Sequence, residues 1–363
     1  MLKIEASSMA IPDSFLNLPF DLYKGVGNWT PRPADDTVRL LDPARNPYWR
    51  QAERELFVAF KDGKPVGRIV AVDDREFNTT HNTNLGFFGF FECVEDLAVA
   101  RTLFSSATNW LSQKGRTQMR GPFNPIPDVN IGLMVEGFEI PQSFCEPFNP
   151  PFYVELFEAC SFRKLSDFYS YHNSFSNNPV WEKMMARLRR HFRKSTMRIR
   201  HFELEHFDRD VEIIRSIIND TYSHDSFFAA WSFEMQHFVI ETYLRPGNEQ
   251  LFLFVEVEGA PAGFCLLTPD YDEALRADRD SKPEAIKGSC AFEFCISPRF
   301  IQTPATAMLT YASWDAQAKA GFHWSEISFM NENNKPIHSL LETSGATRTK
   351  CFRLYECECK LLL

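Results

Sequence analysis

The stretch ISPRFIQTPATAML, from Ile296 to Leu309, passes from apolar alternation through a Pro-bounded turn into an alanine-rich, helix-favouring segment. Strand, turn and helix in that order build a phosphate site, because the first N–H groups of a helix lack intrahelical partners and its dipole attracts anions. Gln302, Thr303, Ala305, Thr306 and Ala307 would surround such a phosphate, with Thr303 and Thr306 as hydroxyl donors. The turn contains no glycine, and Pro304 has no N–H to give, so a cradle of main-chain donors is incomplete here. A second stretch of the same kind, ECVEDLAVA, carries Glu92, Glu95 and Asp96. Carboxylates cap a helix N-terminus well and repel a pyrophosphate.

Other side chains with chemistry to offer are dispersed. Glu293 lies in the strand-like CAFEFCIS, and His338 in the last helix-like run. Asp270 and Tyr271 belong to TPDYDEAL, while His224, Trp231 and His237 fall in a helical stretch ahead of a hairpin. HFELEH sets His201, Glu203 and Glu205 on one face of an expected strand, without metal-ligand spacing, so no metal is assigned. The nine cysteines are odd in number and form no C-x-x-C pair, which speaks for a reduced, cytoplasmic chain and against a disulfide framework or zinc site.

These groups need a scaffold, and a repeat supplies it. DGKPVG (Asp62 to Gly67) returns 196 positions later as EGAPAG (Glu258 to Gly263), each time between two runs rich in Phe, Val, Ile or Leu. A strand, a tight glycine turn and a returning strand predict a hairpin. Each hairpin is followed by a third strand, a helix, a strand, a helix and a closing strand, SDFYSYH in the first half and KCFRLYEC in the second. In the first of those helices Ala100, Leu103, Phe104, Ala107, Trp110 and Leu111 share one face by their three- and four-residue spacing. Two copies of one mixed α/β domain account for 363 residues, with expected domains 1–175 and 176–363. Between Asn173 and Arg198 the sequence predicts a linker helix carrying Arg187, Arg189, Arg190, Arg193 and Lys194. Either it is a solvated connector or it meets an anionic cofactor or a membrane surface.

Net charge is −9, which argues against non-specific nucleic-acid binding. No apolar run reaches the roughly 18 residues of a membrane span, and the N-terminus does not read as a signal peptide. The 35 phenylalanines are an aromatic surplus, most simply placed in the core.

The element order, with its G-x-P-x-G hairpin and strand–turn–helix, resembles the GNAT acyltransferase fold in tandem. GNWTP (Gly27 to Pro31), LLDPARNP (Leu40 to Pro47), VGRIVA (Val66 to Ala71), GFFGFFEC (Gly86 to Cys93), MRGPFN (Met119 to Asn124) and EPFNPPFY (Glu146 to Tyr153) also resemble bacterial tandem GNAT-like proteins. The resemblance implies two α+β domains, each a mixed, mostly antiparallel sheet flanked by helices. It implies that the second half binds acyl-CoA as a substrate and that the first half does not. Phe294, Cys295 and Ile296 would line the thioester with main-chain groups, and the QTPATA turn, a degraded form of R/Q-x-x-G-x-G/A, would hold the pyrophosphate. Asn334 matches the asparagine that opens the last helix in the family, or is its N-cap. Glu293 is the implied general base. The family's thiolate-protonating tyrosine falls on Leu341, so that acid is missing, and His338 is the remaining catalytic candidate. His224, Trp231, His237, Asp270 and Tyr271 would shape the acceptor pocket.

The expected activity is N-acyl transfer from acyl-CoA, long-chain if the phenylalanines line its path, to a primary amine such as that of a sphingoid base. A basic linker at the inner membrane would bring such a lipid within reach. A degenerate lipid- or partner-binding module and a tRNA-dependent aminoacyl transferase stay open as alternatives.

Overall fold

A computed structural model describes residues 1–124, 130–223, 228–244, 247–277 and 286–359. In chain order the strands are β1 (Leu2–Ser7), β2 (Ala52–Lys61), β3 (Lys64–Asp74), β4 (Leu85–Cys93), β5 (Gln118–Gly121), β6 (Leu133–Glu136), β7 (Arg163–Ser174), β8 (Arg198–His201), β9 (Phe252–Val257), β10 (Ala260–Pro269), β11 (Gly288–Ile296), β12 (Trp324–Asn331) and β13 (Thr347–Glu358). The helices are α1 (Asp13–Leu22), α2 (Ala34–Leu41), α3 (Arg75–His81), α4 (Leu97–Gln113), α5 (Phe152–Ala159), α6 (Pro179–Phe192), α7 (Phe207–Tyr222), α8 (Phe233–Tyr243), α9 (Tyr271–Ala277), α10 (Ala305–Lys319) and α11 (Lys335–Thr343). Two compact units result. One is Met1–Tyr169 with the stretch from Lys350 onward, the other Ser170–Thr349.

The repeated hexapeptide makes the same hairpin twice. Asp62 and Gly63 (φ 53° and 79°), and Glu258 and Gly259 (φ 52° and 81°), occupy left-handed backbone, which two-residue hairpin turns require and Gly tolerates without cost. Past each turn the register slips at one residue: Val66 in β3, where Phe60 faces Pro65 and Ala59 faces Gly67, and Ala262 in β10, where Glu256 faces Pro261 and Val255 faces Gly263. Gly67 and Gly263 then let a neighbouring element come close, helix α4 at the first and strand β11 at the second. A Cβ at Gly67 would sit 2.7 Å from Leu103, and one at Gly263 would sit 2.6 Å from the Cys295 carbonyl oxygen.

In the first unit β1–β2–β3–β4 form an antiparallel ladder, and β4 runs parallel to β5 from Leu85↔Gln118 to Phe87↔Arg120. The expected closing strands depart from a simple split at 175. KCFRLYEC lies in β13, which pairs antiparallel with β5 (Tyr355↔Gly121 to Glu358↔Gln118) and with β6, inside the first unit. A four-residue β5 would otherwise end as an unpaired edge. Arg353 on β13 grips Asp167 on β7 through two hydrogen bonds of 2.8 and 3.1 Å.

Much of the phenylalanine surplus is core. Phe88, Phe91, Phe104, Phe157 and Phe162 are buried together under α4, Phe91 stacking on Phe104 at 4.6 Å between centroids. Their number therefore does not by itself mark a path for a long acyl chain.

In the second unit β8–β9–β10–β11 are antiparallel neighbours and β11 is parallel to β12. Leu253, Val255, Cys265 and Ile296 pack with Leu309 and Ala312 of α10. Strand alternation turns Phe252 and Phe254 to the other face, where Phe252 and Tyr243 of α8 meet Phe292. HFELEH is not one strand. β8 stops at His201, and Leu204–His206 form a 3-10 turn, so His201, Glu203 and Glu205 do not share a strand face. Among the described residues no helix is long and apolar enough to cross a membrane, and no group of three or more His, Cys, Asp or Glu side chains is placed to hold a metal ion.

Candidate active site

Toward its end β11 changes its pairing. Leu266 faces Glu293 and Leu267 faces Ala291, so Phe292 is an extra residue that bulges the strand. The parallel ladder to β12 runs from Gly288↔Trp324 to Ala291↔Ile327 and ends there. Glu293, Phe294, Cys295 and Ile296 continue only along β10. The two strands part here, and β11 presents main-chain groups of a bulged strand beside a half-buried carboxylate, Glu293. That carboxylate adds to burial in holding the neighbouring Cys265 thiol far above its ordinary range, so Cys265 is an inert neighbour.

Beyond Ile296 a 3-10 turn, Pro298–Phe300, leads into α10. Pro304 sits at the N-cap, and the first turn of α10 carries no acidic residue. Met308 N–H already reaches the Pro304 carbonyl oxygen, whereas helix geometry leaves the amides of Thr306 and Ala307 pointing out of the helix end. Gln302 and Ala307 are exposed, and Thr306 is half-buried. Thr303 departs from expectation. Its hydroxyl donates to the Phe300 carbonyl at 2.7 Å and accepts from Ala305 N–H at 3.3 Å, so it caps the helix rather than offering a proton to a phosphate. Ala305, buried and capped, is likewise a packing residue.

Asn334 occupies the N-cap of α11 but its side chain makes no capping bond, and it is exposed. One turn on, His338 is held on both sides: Nε2 lies 2.9 Å from the Asn331 carbonyl oxygen and Nδ1 lies 2.9 Å from the Tyr171 hydroxyl. A carbonyl only accepts, so Nε2 carries the proton and Nδ1 accepts from Tyr171 in the neutral ring. Leu341, where the family has its acid, is buried one turn further along the same helix face. Tyr171 went unnoticed in the sequence, because nothing in SDFYSYH announces a partner for a histidine far along the chain.

The acceptor candidates are not gathered in one place. Trp231 is buried and tied to α7 by Asn219, whose amide donates to the Trp231 carbonyl (3.0 Å) and accepts from its N–H (2.9 Å). The same helix reaches the end of β11, where the Thr221 hydroxyl donates to the Ile296 carbonyl at 3.3 Å. His237 instead stands on α8 between Phe207 and Phe233, with Glu241 3.4 Å and Asp208 3.9 Å away. Asp270 is fully buried and accepts from the Asp272 N–H at 3.2 Å, with Arg276 at 4.0 Å. It anchors the start of α9, on which Tyr271 is the first residue. His224 lies outside the described residues.

The first unit has the same parts, differently filled. Val70, the repeat equivalent of Leu266, faces Gly89 where Leu266 faces Glu293. The chain after β5 lies against it: Phe123 N–H donates to the Phe88 carbonyl at 2.7 Å, and a Cβ at Gly89 would sit 2.0 Å from the Phe123 carbonyl oxygen. Further along β4, Glu92, its side chain 12% exposed, accepts from the hydroxyls of Tyr23 and of Tyr153 (3.0 Å), with Arg68 at 3.7 Å. The Tyr153 hydroxyl also takes the Cys93 N–H at 2.6 Å. Burial raises the Glu92 carboxyl above its ordinary value, Arg68 and the tyrosines pulling the other way, and burial with Glu92 beside it raises both phenols. Asp96 accepts from Ala98 N–H at 2.9 Å at the N-cap of α4 and pairs with Lys61 at 2.8 Å. Glu92 and Asp96 were visible in the sequence as an acidic turn, but the tyrosines and arginine that neutralise Glu92 come from distant segments.

No family model matches the sequence. The chain is similar to the bacterial ceramide synthase of Caulobacter vibrioides, 27% identical over 361 residues that cover 94% of this chain and 93% of that one. It is 25% identical to protein YghO of Escherichia coli over 370 residues, covering 94% and 92%. Among solved structures, a tandem GNAT protein from the clavulanic acid biosynthesis pathway matches 99% of both chains with a TM-score of 0.61 at 11% identity. A GCN5-related N-acetyltransferase from Sphaerobacter thermophilus matches 98% of this chain and 96% of its own with a TM-score of 0.57 at 11% identity. Two hairpin-led repeats, a bulged strand that parts from its parallel neighbour and these similarities together give the chain a tandem GNAT-like fold and a full-length likeness to a bacterial ceramide synthase.

Proposed function

We propose that the chain is an N-acyltransferase that moves an acyl group from acyl-CoA to the primary amine of an amino-lipid, such as a sphingoid base. The observation that carries this is the end-to-end similarity to a bacterial ceramide synthase, joined to a second unit whose β11 and α10 ends carry no blocking carboxylate turn. The Thr306 and Ala307 amides and the α10 dipole receive the donor pyrophosphate, with Gln302 and Asn334 at its margin. Main-chain groups of Phe294, Cys295 and Ile296 run beside the pantetheine and the thioester carbonyl. Glu293 takes the proton of the attacking amine, the new C–N bond forms as the C–S bond breaks, and that proton balances the departing thiolate. Trp231 and the Phe292 side of the sheet border the acceptor. His338, locked by Tyr171 and Asn331, positions the start of α11 instead of moving a proton.

The test is direct: the full chain is incubated with palmitoyl-CoA and sphinganine, and amide and free coenzyme A are measured by mass spectrometry. Equal amounts of both are expected, with acetyl-CoA a poorer donor. Coenzyme A binding without amide from any long-chain amine would favour the non-catalytic module, which the glycine-free turn ending at Pro304 also suits.

A further inference from the structure

Helix α6 presents two opposite faces with different fates. Met185 and Phe192 are buried, and with Trp181 they pack against Phe175, Trp314 and Tyr311. On the other side Lys183, Arg187 and Arg190 follow one another at spacings of four and three residues, all exposed, and so form one row on the helix, which Lys194, exposed in the turn just past the helix end, continues. From Lys183 to Arg190 the row spans about 10 Å at the usual helical rise. None of the four takes part in an ion pair among the described residues, and Arg193 and Arg198 extend the same unpaired charge. Glu182, in the first turn, falls off the row. In a protein with a net charge of −9 this concentration of cations is a departure, and no acidic side chain among the described residues pairs with the row.

The row has a direction. Met185 shares a cluster with Trp314, Arg189 pairs with Asp315 at 3.5 Å, and Phe192 stacks on Tyr311 at 6.2 Å. α6 is thus antiparallel to α10, and its cationic end runs toward the N-terminal half of α10, the half that opens on the candidate donor site.

We propose that the exposed face of α6 docks the protein on an anionic phospholipid surface. This rests on the lipid-amine reading above, since that acceptor resides in a bilayer. The apolar side of α6 is already consumed by the core, so the helix has nothing to insert, and the attraction is one of charge to headgroups. Val180 is the one exposed large apolar residue of the helix, which is too little to anchor a folded protein partner through a desolvated contact. Binding is therefore reversible and salt-sensitive.

The experiment is co-sedimentation of the full chain with vesicles of phosphatidylcholine alone or with about one third phosphatidylglycerol. Three proteins are compared: the native chain, the variant Lys183→Gln/Arg187→Gln/Arg190→Gln/Lys194→Gln, and a control variant with Gln at Lys24, Arg50, Lys64 and Arg163, also exposed cations. Native and control proteins should bind only the anionic vesicles and be released by salt, and the α6 variant should bind at least about tenfold more weakly. Equal binding to neutral vesicles, equal loss in the control, or an undiminished α6 variant overturns the proposal. So does capture of the native chain by a purified acidic acyl carrier protein with no vesicle binding. Amide formation from detergent-solubilised sphinganine, measured on the same variants, separates the two claims: it survives in the α6 variant if the enzyme reading holds, and its absence in the native chain faults that reading alone.

Discussion

The strand-to-helix junctions of the two units carry the same main-chain plan and opposite chemistry. In the first, Gly89 has no side chain because Phe123 occupies its space, Tyr153 takes the Cys93 amide, and Asp96 caps α4. In the second, Glu293 stands at the position equivalent to Gly89, the ladder to β12 stops beside it, and α10 begins without a carboxylate. The comparison teaches that one main-chain plan can be filled by the chain's own groups in one unit, Phe123, Tyr153 and Asp96, and left unfilled at the matching positions of the other.

The largest effect expected from breaking this comparison is on stability. Glu92→Ala leaves Arg68 buried without its carboxylate and two phenols without an acceptor, which should cost about 3–5 kcal/mol in denaturant unfolding. It should open no donor site. Next comes Glu293→Gln, expected to lower kcat about tenfold or more while leaving the KM for the donor unchanged, read from steady-state amide formation. Unaltered kcat would remove Glu293 from the mechanism.

Making the second junction resemble the first is the next test. Thr306→Asp places a carboxylate in the first turn of α10, two positions past the N-cap where α4 has Asp96, and should weaken acyl-CoA binding by about tenfold in calorimetry while adding about 0.3–1 kcal/mol to folding stability through the helix dipole. Opposite signs in the two readouts are the signature. Asp96→Ala, the converse change, should cost about 1 kcal/mol of stability and leave donor affinity alone.

The smallest effect is in pH. Burial raises the folded-state Glu92 carboxyl, so its protonation favours the folded chain. The stability it adds is complete below the ordinary carboxylate range and is lost as pH rises through the raised value. Glu92→Gln, which cannot ionise, should therefore gain in melting temperature relative to the native protein between acid and neutral pH. A difference that is flat with pH would mean the Glu92 carboxyl titrates alike in the folded and unfolded chain, contrary to the raised value.

The hairpins, the bulge-bearing strands and the acidic nature of the first turn were legible in the sequence because each rests on local residue type: Gly at left-handed φ, apolar alternation, carboxylates before a helix. The QTPATA turn was legible as a strand-to-helix junction, but the diversion of Thr303 into a cap was not, since it depends on where the Phe300 carbonyl ends up. The place of β13 in the first unit and the meeting of His338 with Tyr171 are pairings between segments remote in sequence, and no spacing encodes them. The same holds for Tyr23, Arg68 and Tyr153 around Glu92. Asp270 looked like a substrate contact because it is acidic and follows a strand, and it serves instead to start a short helix.

The central claim is that the α10 end of the second unit holds the acyl donor. Its most direct measurement is the melting temperature of the native chain and of Thr306→Asp with free coenzyme A, acetyl-CoA, octanoyl-CoA and palmitoyl-CoA. At about 100 times its dissociation constant a ligand should add about 2.7 kcal/mol to the native chain, with the melting temperature rising with acyl length and the response largely lost in Thr306→Asp. An unchanged melting temperature with every donor, or the same rise in both proteins, would contradict the account.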